Sequence, residues 1–251
     1  MNAWIRTQVQ ALGAYAALIV EVFRDLLRRG VNPDELSRQI TRIGLNSMPI
    51  VFLTSIFTGM VLALQTAYGL HRFGAKYYVG NVVGLGLVRE LGPVLTAIML
   101  CGRVGAGIAA ELASMVATEQ VDAMRALGAS PVRKLVTPRI VAAVIVLPAL
   151  VVFADLIGIY GGALVTVLEL KISLYSYYRS LMYTVVIRDV IDGLIKSALF
   201  GFLLVSIACY KGLNTRGGTE GVGLTTTSAV VTGSVVIFIC NFFITKLLLL
   251  F

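Results

Sequence analysis

Charge is what this sequence has least of. Asp, Glu, Lys and Arg make up 14% of its 251 residues, against 58% hydrophobic, where a soluble domain carries about 25% charged residues. A soluble enzyme and a disordered chain are both excluded. Histidine occurs once, as His71. A rhomboid-like Ser–His pair would need a histidine inside a span, and an HxxxxD acyltransferase motif fails because position 76 is Lys. Neither HExxH nor GxxxxGK[ST] occurs, and the Lys196-Ser197 pair lacks the glycines that would cradle a phosphate. No catalytic residue, metal ligand or ATPase site is therefore assigned. Cysteine is equally sparse: Cys101, Cys209 and Cys240 fall in apolar segments without a CxxC. They read as small buried hydrophobes, not as a disulfide framework.

Long apolar runs fill the space that charge leaves. The mean hydropathy is +0.90, and stretches of the ~20 residues needed to cross a bilayer recur along the chain. We expect an all-α polytopic membrane protein with one integral domain over 1–251 and five transmembrane helices. The first span runs over 48–70, and His71–Lys76 forms a turn. Residues 77–110 are apolar apart from Arg89-Glu90 and Arg103, too long for one straight helix across ~30 Å of hydrocarbon. The segment is predicted to break at Arg89-Glu90-Leu91-Gly92-Pro93, since proline suits a helix start and disfavours helix just before it. That leaves a short interfacial or re-entrant piece at 77–88 and a span over 90–110. A polar loop follows over 111–137, then spans over 140–168, 190–210 and 226–251.

The segment before the first span differs in kind. Ile5, Val9, Leu12, Ala16, Ile19, Phe23 and Leu26 alternate four and three apart, which is one face of a helix. A cleaved signal peptide with Ala11–Val20 as its core is the competing reading. That run is short, meets Glu21 at once, and the periodicity continues through it, so residues 1–30 are read as an amphipathic helix in the membrane interface. Gly30 ends it, and Asn32-Pro33-Asp34-Glu35 starts another helix with Asn32 as cap.

The net charge of +8 reflects the positive-inside rule and anionic headgroups, not nucleic acid. Twelve Lys and Arg fall in the N-terminal region, the 111–137 loop together with Arg139 just after it, and the loop holding Lys211 and Arg216. Six lie on the other side, at Arg72, Lys76, Lys171, Arg179, Arg188 and Lys246. This places the N-terminus and the 111–137 loop in the cytoplasm and the C-terminus outside.

Within that loop, Asp122-Ala123-Met124, three residues and Gly128 resemble the EAA loop of ABC-transporter permeases, a short helix that seats in a groove of the ATPase. Gly128 can terminate the helix. Ala123, Met124 and Leu127 give it a small apolar face, and Glu119, Asp122 and Arg125 can make rim ion pairs. An ordinary amphipathic loop helix fits the same short pattern. The flanks extend the resemblance. Leu87–Val94 (LVRELGPV), Gly102–Ala106 (GRVGA), Ala117–Met124 (ATEQVDAM) and Thr137-Pro138-Arg139 resemble the MlaE/YrbE family, the permeases of MCE-type ABC transporters. So do Ser55–Leu62 (SIFTGMVL), Gly158–Gly162 (GIYGG) and Leu194–Ser197 (LIKS).

The resemblance implies a homodimeric permease of the bacterial inner membrane that moves phospholipid between that membrane and the periplasm. It implies cytoplasmic ABC ATPases that hold ATP and Mg, a periplasmic MCE-domain protein and a small cytoplasmic STAS-type accessory protein. No cofactor is expected on this chain itself. Glu90 and Lys196 match positions near the family's outward lipid cavity, and Asn241 stands where some members carry Asp. Arg89 shares the charged helix start, and intramembrane ionisable groups are functional suspects. Packing at the interface explains Arg89 and Glu90 equally, and Asp192, one turn before Lys196, offers an intrahelical ion pair. Leu64, Gln65 and Tyr68 could line an acyl-chain path or simply pack. Arg103, among Gly102, Gly105 and Gly107, reads as structural with Glu111 as a partner; Asp155 has no partner visible in the sequence. A stand-alone secondary transporter or channel is the alternative. It predicts inverted repeats with matching broken spans, whereas one break and an odd span count are seen.

Overall fold

A backbone crossing lipid must satisfy its own hydrogen bonds, and the apolar runs do so as helices. The computed structural model describes residues 2–71, 74–248 and 250, whose regular structure is all helical. In order these are α1 (Asn2–Arg29), α2 (Pro33–Ile43), α3 (Met48–His71), α4 (Val79–Gly86), α5 (Gly92–Leu100), α6 (Ala106–Ala117), α7 (Gln120–Ala126), α8 (Thr137–Leu168), α9 (Leu174–Thr184), α10 (Ile187–Leu213) and α11 (Gly218–Leu248). Among the described residues, five helical stretches are long and apolar enough to cross a membrane: Pro33–His71, Val79–Ala117, Val132–Leu168, Ile187–Leu213 and Gly218–Leu248. The protein is an all-α polytopic membrane protein with an additional N-terminal helix. Arg72 and Phe73 of the predicted turn, and Phe251 at the end of the fifth predicted span, lie outside the described residues, as does the Ile5 side chain of the amphipathic stripe.

The predicted break at Arg89–Pro93 is corrected by the structure. The chain stays helical from Val79 to Ala117, with π turns at Leu87–Leu91 and Cys101–Gly105. In an α-helix Pro93 would leave the carbonyl of Arg89, four residues back, without its donor. Here the Lys196 ammonium donates to that carbonyl at 2.9 Å. Gly193 lets α10 come close, because a Cβ there would run into the Val88 carbonyl. A side chain from another helix thus supplies the bond that proline removes.

Two compact units make up the chain. One comprises Met1–Ile43, Leu100–Ala143 and Gly201–Ile237. In it α1 lies along α10: Tyr15 and Ser206 hydroxyls are 2.7 Å apart, and the Tyr15 and Tyr210 rings meet edge to face at 5.6 Å. Val9, Leu12, Ala16 and Phe23 stay exposed, an apolar stripe suited to the membrane interface. Gly30 ends α1 at φ +66°, and the Asn32 carboxamide accepts from the Asp34 N–H at 3.0 Å. Glu111 joins three helices, taking Arg139 Nη2 at 2.8 Å and lying 2.6 Å from Arg42 Nη1. Arg103 lines a small cavity with Gln39, Arg42 and Gly107.

The other unit comprises Gly44–Met99, Val144–Phe200 and Phe238–Phe251. Small residues bring α3 against α8: a Cβ on Gly59 would overlap the Gly158 carbonyl, and one on Gly161 the Ile56 carbonyl. Such small-residue seams let helices pack closely in lipid. Helix α9 covers α4 around a core of Val79, Val83, Ala163, Tyr177 and Leu181. Tyr177 donates to the Ile159 carbonyl at 3.2 Å. Burial, with Tyr178 nearby, pushes its phenol above the ordinary value, so it stays protonated as a donor. Ser180 and Asn81 hydrogen-bond across the same contact.

Candidate functional site

Charged groups inside apolar helices need partners, and those of the second unit find them together. The start of α10 carries Arg188, Asp189, Asp192 and Lys196. Asp189 accepts from the Val186 N–H at 3.0 Å, an acid in the first turn closing the helix N-terminus. It is 1% exposed and also takes Arg89 Nε at 2.5 Å. Lys196, 2% exposed, donates to Glu90 Oε1 at 2.6 Å, to the Arg89 carbonyl at 2.9 Å and to Thr245 Oγ1 at 2.8 Å. Thr245 in turn donates to Glu90 at 3.1 Å, and Asn241 Nδ2 donates to Glu90 Oε2 at 3.1 Å. The expected intrahelical Asp192–Lys196 pair is therefore replaced by one between helices, since the Glu90 carboxylate meets an ammonium already aimed at the π turn. Asn241 acts as a neutral donor.

Arg89, Glu90, Lys196 and Thr245 of this network line a cavity of about 230 Å³ together with Arg188, Asp192 and Leu248. It lies where α10 begins and α11 ends. The structure thus brings Arg89, Glu90 and Lys196 together. Leu64, Gln65 and Tyr68 on α3 do not line that cavity; Leu64 is half-buried, while Gln65 and Tyr68 are exposed. Asp155 packs against Gly92, and its Oδ1 has no hydrogen-bond partner among the described residues. Sequence reading passed over Asp189, Arg188 and Thr245. The one signal for the first two was a dense run of charges, Arg188 to Lys196, opening an apolar span.

In the first unit, the predicted loop helix forms as α7. Glu119 precedes it at φ +60°, and Gly128 follows at φ +74°. The Gly128 N–H donates to the Arg125 carbonyl and the Ala129 N–H to the Met124 carbonyl, both at 2.9 Å. That pair of bonds with a left-handed glycine is a Schellman stop. Val121 anchors the helix inward. Asp122, Ala123, Arg125 and Leu127 face outward, Met124 is half-buried, and Leu127 is 86% exposed. Asp122 and Arg125 pair with each other at 2.9 Å. A cavity of about 480 Å³ beside α7 is lined by Asp25, Asn32, Gly128, Arg133 and neighbouring residues.

The family model described as Permease MlaE matches residues 36–247. A probable ABC transporter permease protein of Rickettsia felis is 44% identical over 238 residues, covering 95% of this chain and 92% of that protein. One from Synechocystis is 38% identical, with 95% and 91% covered. The intermembrane phospholipid transport system permease protein MlaE of Haemophilus influenzae is 35% identical over 214 residues, with 85% and 82% covered. A family model and relatives that match over most of the chain leave a single assignment: the chain belongs to the MlaE permease family.

Proposed function

We propose that this chain is the multi-pass inner-membrane permease of an ATP-driven transporter that moves phospholipid between that membrane and the periplasm. The observation that carries the reading is the ion-paired cavity around Glu90 and Lys196, set in apolar helices of a chain from a permease family. Such a site gives a lipid headgroup polar surroundings where its acyl chains meet hydrocarbon. The Haemophilus relative is named for intermembrane phospholipid transport, which supports the same cargo here. In this reading the single permease domain over 1–251 sits with its N-terminus in the cytoplasm and its C-terminus outside. Two copies form a homodimer, the commonest closed assembly. A periplasmic MCE-domain protein receives or supplies the lipid, and a STAS-type protein binds on the cytoplasmic side.

The ATPase docks on α7 as on an EAA loop. The outward Ala123 and Leu127, beside the half-buried Met124, supply apolar contact, and Glu119, Asp122 and Arg125 form a charged rim. Rim charges contribute up to about 1 kcal/mol each. The chain carrying Glu119→Lys with Gly128→Pro also loses the left-handed stop and its N–H, so co-purification of the ATPase in mild detergent is expected to fall at least several-fold. Full ATPase recovery with that double variant would refute the docking assignment.

A further inference from the structure

The donors and acceptors around the cavity are unequally committed, and the inequality specifies the cargo. An ammonium has three N–H donors, and Lys196 uses all three, on the Arg89 carbonyl, Glu90 and Thr245. Glu90 is engaged through both oxygens, by Lys196 and Asn241. Lys196 thus has no donor left for a ligand, and Glu90 is the carboxylate already engaged by protein donors. Arg89 is held through Nε by Asp189, which leaves its two terminal NH2 groups unspent among the described residues. Arg188 and Asp192 both line the cavity, yet neither side chain has a hydrogen bond or ion pair among the described residues. They sit one turn apart on α10, roughly 6 Å along its axis. The cavity therefore presents cationic donors beside one carboxylate that no protein group engages among the described residues.

Resting on the permease reading above, we propose that this cavity selects a zwitterionic phospholipid headgroup, with Arg188 and the Arg89 terminal nitrogens binding the phosphate and Asp192 binding the ammonium. A guanidinium fork matches two phosphate oxygens at once. Two methylenes separate phosphate from ammonium in a phosphoethanolamine group, so one headgroup reaches both ends of the Arg188–Asp192 turn. A phosphatidylglycerol headgroup carries the same phosphate but offers Asp192 only neutral hydroxyls, so the Coulombic attraction between ammonium and carboxylate is missing. Lys196 and Glu90 form the fixed wall that keeps Arg89 in place.

The test uses the purified transporter, permease with its partner subunits, equilibrated with vesicles of equimolar phosphatidylethanolamine and phosphatidylglycerol with matched acyl chains. It is then re-isolated, and both lipids are quantified by mass spectrometry. The wild-type complex is expected to favour phosphatidylethanolamine by on the order of threefold, as one partly exposed ion pair allows. Asp192→Asn should bring the ratio to about one, and Asp192→Glu should restore the preference. Arg188→Gln should reduce both lipids. Asp192 has no partner to strand among the described residues, so its loss does not undermine the fold. A wild-type ratio of one, or an Asp192→Asn ratio equal to the wild-type preference, overturns the headgroup assignment and leaves the permease standing. Undiminished lipid in Arg188→Gln overturns the phosphate assignment. A wild-type complex that binds neither lipid overturns the permease reading and this proposal with it.

Discussion

Replacing Glu111 with leucine is expected to lower the unfolding temperature of the detergent-solubilised protein by roughly 10 °C. Glu111 is the acid between Arg42 of α2 and Arg139 of α8. Arg139 is 3% exposed, and its Nε and Nη1 already lack hydrogen-bond partners among the described residues. The bond from Nη2 to Glu111 is what compensates the buried guanidinium. Removing one partner of a buried pair costs about 3–5 kcal/mol, because the charge left behind has lost both water and counter-ion. For a chain of this length each kcal/mol moves the midpoint by about 2–4 °C. Arg42 is half exposed and regains water, so it adds little to the loss. Pairing Glu111→Leu with Arg139→Met should recover much of the midpoint, since an apolar pair of similar volume is often as stable as the ion pair. A single variant within a degree or two of wild type would show that this pair does not hold α6 to α8.

Glu90→Leu is expected to be nearly as severe, costing about 3 kcal/mol, for the same reason: it strands the buried Lys196 ammonium. Glu90→Gln should be far milder. Its amide oxygen still accepts from Lys196, and Asn241 can turn its carboxamide so that Oδ1, which lacks a partner, accepts from the new NH2. Lys196→Ala leaves Glu90, which is about a third exposed, with access to water and the Asn241 and Thr245 donors. It also orphans the Arg89 carbonyl beside Pro93. Glu90→Leu with Lys196→Ala should be less damaging than the sum of the singles, with a coupling of about 0.5–3 kcal/mol. Both unfolding midpoint and lipid co-purified per protein should show it. Strict additivity in both readouts would mean that the two residues do not share one network.

The spans were legible because uncharged runs long enough to cross a bilayer have few other uses. The Met48 start of α3 and the glycine stops at Gly30 and Gly128 were written locally, in composition and turn chemistry. What was not legible depended on residues far apart in the chain. Pro93 reads as a helix break when only its neighbours are weighed. It is tolerated because Lys196, 107 positions from Arg89, donates to the freed carbonyl. Asp192 is the obvious partner of Lys196 by helical spacing, yet the ammonium turns to Glu90, 106 positions away, and Thr245, 49 away. Asp189, which nothing in the sequence singles out within its run of charges, is the counter-ion of Arg89, 100 positions earlier. Periodicity shows which face of a helix is apolar; it does not show which helix lies opposite.

The most direct test of the account is lipid movement coupled to ATP. The permease is reconstituted with its ATPase and MCE-domain partner in vesicles holding a fluorescent phospholipid, and lipid passed to acceptor vesicles is followed over time. Transfer is expected only with hydrolysable ATP, and it should fall sharply in Glu90→Leu and in the Glu119→Lys, Gly128→Pro permease. Transfer by the permease alone, without ATPase or nucleotide and at the same rate in these variants, would contradict the account.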